Sequence, residues 1–295
     1  MSSLRFTPCV DSDELARQNQ RVLGIRYEIA ESLGRSALDA IDREEYLTDH
    51  GPVDWRAEIK AAESAKVSIA PDASLPGGER RSHDSGRDVT VVTVANETTL
   101  VASRALVEAG LRPLALNFAN GVEPGGGFLR GATAQEETLC RSSALYATLY
   151  GDPMYEFHRG HARGASSDWA ILSPDVPVFR DDSGMELEKP WLLSFLTCAA
   201  PYAPAIGRLD AQPMLRKRIH RVLQIAQAYG YASLVLGAWG CGAFANDPLQ
   251  TAKDFREALE GDFAGAFSRV IFAITDWSQQ RRFLGPFSRV FSDEG

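Results

Sequence analysis

Cysteine and histidine are scarce, four and five in 295 residues. Cys9, Cys140, Cys198 and Cys241 stand far apart, with no Cys-x-x-Cys pair and no histidine at metal-ligand spacing, which argues against a zinc site or a disulfide framework. Buried free thiols and a metal-independent chemistry are expected instead. Excess positive charge is also missing. Lys and Arg number 31 against 39 Asp and Glu, a formal net charge of −8, so the chain is poorly equipped for an extended nucleic-acid groove. A single small anion is a different matter, because helix N-termini and backbone N–H groups hold phosphate without net positive charge. No apolar run approaches the roughly 20 residues of a membrane span, and the opening "MSSLRFTPCVDSDELARQNQ" has no apolar core of a signal peptide. A cytoplasmic protein with no membrane partner is expected.

What is present is a composition of 44% hydrophobic and 24% charged residues, enough for a substantial core. Over residues 11–46, Leu15, Val22, Ile25, Ile29, Leu33, Leu38 and Ile41 recur at three- and four-residue steps, which predicts helix. A short helix ending at Ala65 and a strand at 66–70 follow. Residues 71–88, rich in Pro, Gly, Ser and charge, read as an exposed loop. Beyond them strands are predicted at 89–95, 113–119, 169–180, 191–200, 233–240 and 269–275. Helices are predicted at 98–110, 134–150, 213–230, 247–261 and after the last strand. The alternation implies an α/β fold, a sheet with helices on both faces. Residues 1–88 would form a helical extension and loop packed on a core of residues 89–295, in one compact unit. Ligands of such sheets sit at the carboxyl ends of strands, where "NFAN" and "GAWGCGAF" fall.

The stretch "NFANGVEPGGGFLRGATAQEETLCR" sets Gly125, Gly126 and Gly127 a short loop ahead of Glu136 and Glu137. Glycines after a strand and before a helix bring backbone close to an anion, although a plain flexible turn would use them too. Thr133 and Glu136 have the spacing of a capping box, which by itself would account for Glu136. Glu137 has no such structural reason, beyond the commonplace one of an acidic residue in a first helical turn. Downstream, "VLGAWGCGAFANDP" spells a weak dinucleotide fingerprint. Its place near the end of the strand series disfavours a nicotinamide fold and leaves a second phosphate-contacting loop. Phe244 either packs into the core or stacks on a sugar. Asn117 and Asn120 either make a turn or reach ribose hydroxyls.

"GGGFLRGATAQEE", preceded by "LNFAN" and followed by "LCRSSALY", resembles the signature of the bacterial-type poly(ADP-ribose) glycohydrolases, and "LGAWGCGAFANDP" resembles their diphosphate-facing loop. The resemblance covers residues 89–277 and implies a macrodomain-like mixed sheet. It further implies Glu137 as catalytic acid and Glu136 as its partner at the distal ribose. Asn120, Gln135 and Gly125–Gly127 would be ligand contacts on the first loop; Gly240, Cys241, Gly242, Ala243 and Phe244 would be those on the second. Adenine would lie near Asn96 and Glu97. The implied ligand is poly(ADP-ribose) or ADP-ribose, with no cofactor, carried on ADP-ribosylated proteins and handled by a monomer. A non-catalytic reader of ADP-ribose and a mono-ADP-ribosyl hydrolase are the rival functions.

Overall fold

The computed structural model describes residues 3–77, 89–161 and 164–293; most of the predicted exposed loop, residues 78–88, lies outside the described residues. The chain begins with β1 (Leu4–Phe6), α1 (Asp13–Leu23), α2 (Tyr27–Arg43), the hairpin β2 (Glu45–Thr48) and β3 (Gly51–Asp54), α3 (Arg56–Ala65) and β4 (Val67–Ile69). Next come β5 (Thr90–Ala95), α4 (Thr99–Glu108), β6 (Pro113–Phe118), a 3-10 turn at Phe128–Arg130, α5 (Gln135–Ser142), α6 (Leu145–Leu149) and α7 (Pro153–His161). Last are β7 (Ala170–Arg180), β8 (Glu186–Cys198), α8 (Ala203–Ile206), α9 (Arg208–Ala228), β9 (Ser233–Leu236), α10 (Pro248–Glu260), β10 (Arg269–Ala273) and α11 (Leu284–Val290).

Eight strands form one mixed sheet in the order β1-β5-β10-β9-β6-β8-β7-β4. The first five pairings are parallel and the two involving β7 are antiparallel. Successive side chains of a strand face opposite ways, and the parallel centre is apolar on both faces. Val92, Val94, Leu114, Leu116 and Phe272 therefore join one core with Ile219 of α9, Phe255 of α10 and Phe287 of α11. Ala115, Val235 and Ile271 join the other, with Leu100 of α4, Leu139 of α5 and Ala37 of α2.

Three expectations need correction. The helix predicted over 11–46 is two, interrupted at residues 24–26, and Tyr46 belongs to β2. The helix predicted over 134–150 breaks after Ser142, where Ser143 bridges to Val178 and Ala144 N–H donates to Pro177 O at 3.0 Å. Pairing with β7 wins there over helix propagation. Residues 1–88 are not only helical: β1 and β4 are the two outermost strands of the main sheet. Three residues are too few to show a period of two. Among the described residues no helix is long and apolar enough to cross a membrane.

Candidate active site

The carboxyl ends of the parallel strands open into a cavity of about 510 Å³. That is within the usual range for a small-molecule site, roughly 300–1,000 Å³. Its walls include Glu97 after β5, Asn120 after β6, Glu136 and Glu137 on α5, Gly240 and Phe244 after β9, and Trp277 after β10.

Helix α5 is seated by Gln135. Its Nε2 donates to Leu116 O at 2.8 Å and Thr99 Oγ1 at 3.1 Å, and its Oε1 accepts from Phe118 N–H at 2.9 Å. Gln135 also lines the cavity, and these bonds to β6 and α4 fix the position of the two residues after it. Behind the glycine turn, α2 comes in at backbone contact: a Cβ on Gly34 would lie 2.2 Å from Phe128 O. Only glycine at that point lets the helix brace the turn.

The two glutamates are both buried but differently held. Glu136 Oε2 accepts from Asn120 N–H at 2.7 Å and Oε1 from Asn117 Nδ2 at 3.3 Å. Burial pushes its carboxyl well above the usual carboxylate range, opposed by the Asn120 bond and reinforced by the charge of Glu137. The capping-box expectation fails: the N-cap is Ala134 with no side-chain bond, and Glu136 reaches β6 instead. Glu137 makes one contact of note, Oε1 accepting from Gly127 N–H at 2.9 Å.

Gly125, Gly126 and Gly127 do not themselves line the cavity. They lie against the carboxylates, with Gly126 at φ +57 and an added Cβ there only 2.4 Å from Glu137 Oε1. The triplet lets a main chain pass against an acidic pair and supply an N–H to it.

The second loop divides. Gly240, Gly242, Ala243 and Phe244 line the cavity. Cys241 does not: its thiol faces Trp239 O and Thr251 Oγ1, both at 3.6 Å, and burial pushes it up to about 12. This is an inert thiol. Cys140 and Cys198 are likewise buried and free, whereas Cys9 is half-buried. Phe244 is half-buried, joining the fringe of the core while meeting Tyr202 edge-on at 5.3 Å between ring centroids. The two sequence alternatives for it coexist. Among the described residues no group of His, Cys, Asp and Glu is gathered as a metal site.

A model of the microbial-type PARG catalytic domain matches residues 34–181. The poly(ADP-ribose) glycohydrolase of Thermomonospora curvata is 38% identical and superposes with a TM-score of 0.81, covering 90% of this chain and 100% of its own. The chain belongs to the microbial-type PARG family. A second PARG structure, that of Deinococcus radiodurans in complex with ADP-ribose, is 40% identical at a TM-score of 0.71, over 79% of this chain and 96% of that one. The Thermomonospora curvata enzyme is also known bound to the inhibitor ADP-HPD, at a TM-score of 0.79. No curated protein sequence matches. The fold is thus the PARG macrodomain-like mixed sheet, and the activity is that of a poly(ADP-ribose) glycohydrolase, a glycosidase.

Two points about the cavity wall differ from or go beyond the sequence reading. Asn96, expected near adenine, is fully buried in the scaffold: Nδ2 donates to Asp11 Oδ1 and Asp276 O, both at 2.8 Å, and Oδ1 accepts from Asn19 Nδ2 at 2.9 Å. Glu97 alone of that pair lines the cavity, and burial raises its carboxyl. The second is Asp182, carried on the tip between β7 and β8 to the cavity wall beside Thr98. Its Oδ2 accepts from Thr98 Oγ1 at 2.5 Å, while Oδ1 is buried without a partner among the described residues. Nothing in "RDDSGM" distinguishes it from any acidic hairpin tip.

Burial pushes the Asp182 carboxyl up to about 6, with the Thr98 hydroxyl opposing and Asp181 adding. The folded protein thus keeps a proton that the unfolded chain releases at about pH 3.9, and the associated stability, full below that pH, is lost as pH rises through about 6. Asp182→Asn, whose amide oxygen still accepts from Thr98, is expected to exceed the unsubstituted protein in stability near pH 7. The gain is up to about 3 kcal/mol and fades below about pH 4. Urea melts at both pH values measure it; the same difference at each would refute the assignment.

Proposed function

We propose that Glu137 is the general acid and base of poly(ADP-ribose) hydrolysis, and that its neighbours hold the diphosphate and distal ribose. The supporting observation is the asymmetry of the acidic pair. Both line the cavity, but Glu136 is engaged through both oxygens by Asn117 and the Asn120 main chain, whereas among the described residues Glu137 accepts only from the Gly127 N–H. In this scheme Glu137 protonates the ribose 2′-oxygen of the departing unit as its bond to C1″ of the distal ribose breaks. The oxocarbenium-like centre is stabilised by the adjacent diphosphate. Glu137, now a carboxylate, takes a proton from water as that water's oxygen bonds to C1″.

No divalent metal enters the scheme. Asn120 spends Oδ1 on the N–H groups of Val122 and Glu123, at 2.9 and 3.1 Å, which leaves Nδ2 for a ribose hydroxyl. Gly240, Gly242 and Ala243 face the diphosphate. A single chain is taken as the working unit. ADP-ribosylated proteins in the cytoplasm are its proposed targets, and residues 1–88 are read as packed with residues 89–295 into one unit.

Incubation with poly(ADP-ribose) and, separately, with a mono-ADP-ribosylated protein tests the reading. Free ADP-ribose is expected from the polymer at a rate far above that from the mono-modified protein. Binding of ADP-ribose with no product from polymer would leave only a reader.

Phe244→Ala is expected to lower turnover on polymer by roughly 10²-fold through misplacement of the ribose by about 1 Å. Melting should fall by less than the 3–5 kcal/mol typical of a fully buried phenylalanine, about which the half-buried ring and its Tyr202 contact are informative. A strongly lowered melting point with unchanged specific activity of the folded fraction would make Phe244 a core residue only.

A further inference from the structure

The loop between β9 and α10 is built almost wholly of small residues, "GAWGCGAFA", yet it carries four of the residues assigned above to diphosphate and ribose. Trp239 anchors its start in the core, but the small side chains after it cannot hold the ligand-facing stretch, whose shape rests on main-chain bonds and on the polar groups that reach it. One group does so from behind. Asn246 is 6% exposed, and its Nδ2 donates to Pro201 O at 2.9 Å, Gly240 O at 3.1 Å and, more weakly, Phe244 O at 3.5 Å. Its own main-chain N–H donates to Gly240 O at 3.1 Å. The first of these carbonyls follows β8 and the other two flank the ligand-facing stretch.

The residue before it is under strain. Ala245 has φ +53, a left-handed conformation that alanine avoids, and such conformations persist only where the surroundings impose them. Asn246 on one side and Arg208 on the other supply that constraint, with Arg208 Nε donating to Ala245 O at 3.2 Å. Ala203 N–H adds a bond to Phe244 O at 3.1 Å. Of the loop's own backbone the Cys241 thiol reaches Trp239 O, at a long 3.6 Å. The carbonyls on either side of the cavity-lining residues thus converge on one amide.

We propose that Asn246 is a positioning residue for the diphosphate and distal-ribose half of the substrate. It sets the separation of Gly240 from Phe244 by tying both to the end of β8, and it acts through them without touching substrate. This rests on the proposed placement of diphosphate and ribose at that loop.

Asn246→Asp keeps the size, removes both donor hydrogens and sets a carboxylate against three carbonyl oxygens. The test compares affinity for ADP-ribose with affinity for AMP, which lacks the second phosphate and the distal ribose. ADP-ribose affinity is expected to fall about 10–100-fold, the scale of losing a buried hydrogen-bond set, with AMP affinity within about twofold of the unsubstituted protein. kcat/KM on polymer should fall at least as far as ADP-ribose affinity. Asn246→Ser, which adds no charge and retains one donor, should show the same selective loss to a smaller degree and replaces the aspartate variant should that one fail to fold. Equal losses for the two ligands would mean a merely structural residue, and unchanged affinity for both would mean no role at the site; either overturns the inference. If the unsubstituted protein itself does not prefer ADP-ribose to AMP, the placement of the ligand fails first, and the role of Asn246 with it.

Discussion

Glu137→Gln should lower turnover on poly(ADP-ribose) by on the order of 10²–10⁴-fold while ADP-ribose binding and melting temperature hold. The expectation follows from what the substitution spares. A glutamine Oε1 can still accept from Gly127 N–H, now at 2.9 Å from Glu137, so the glycine turn keeps its anchor. The shape of the cavity wall is preserved as well. What disappears is a transferable proton at the departing oxygen and, in the second half of the reaction, a carboxylate to take one from water. Calorimetry with ADP-ribose and a polymer-degradation assay on one preparation separate the two effects. Turnover within a few-fold of the unsubstituted enzyme would remove Glu137 from the chemistry, and lost binding with proportionally lost turnover would make it a ligand contact alone.

Gly126→Ala should be nearly as damaging without altering any group that reacts. At φ +57 an alanine is strained by about 1–3 kcal/mol, and its Cβ would stand 2.4 Å from Glu137 Oε1 and 3.1 Å from Glu136 Oε2. Something must move. Glu136 is held by Asn120 N–H at 2.7 Å and by Asn117, so Glu137, with its single bond to Gly127, is the group displaced. A shift near 1 Å in a catalytic group costs roughly 10²-fold in turnover. Steady-state kinetics and thermal melting together decide it: the loss should appear in kcat more than in KM, and a variant with full kcat would show that Glu137 does not depend on the turn for its position.

Much of this site was legible in the sequence because its parts are local. Glycines, glutamates and the small-residue loop fall at strand ends, and strands such as β5 and β6 announce themselves by apolar runs bounded by turns. The features that were not legible depend on partners distant along the chain. Asn96 reads as a possible ligand contact until Asp11, Asn19 and Asp276 are seen to consume its amide. Gln135 looks like part of a ligand motif and turns out to be bonded to β6 and α4. Thr133 and Glu136 have capping-box spacing, yet Asn120 N–H supplies a better partner for the carboxylate than the helix start does. Asp182 reaches the cavity because the β7–β8 tip meets Thr98 at the start of α4, which no window of sequence near "DDSG" records. The break between α5 and α6 has the same origin in the pairing of Ser143 with Val178.

The placement of β1 and β4 decides what the sheet presents at its two margins. Residues 4–10 run along β5, with Leu4, Arg5 and Phe6 in register with Thr90, Val91 and Val92 and a last bridge from Val10 to Ala95. On the far side Val67–Ile69 pairs with Ala170–Leu172 of β7. An open sheet whose margins are bare offers rows of unsatisfied N–H and C=O groups to any other strand it meets. Here the edge strands at both margins come from the same stretch of chain and are only three residues long, which leaves few such groups free. A chain started at residue 89 would keep Glu137, the glycine turn and the second loop, yet present β5 and β7 as two adhesive borders, one of them, "TVVTVA", uncharged and rich in β-branched residues. β1 and β4 thus keep the longer strands β5 and β7 away from the margins of the sheet.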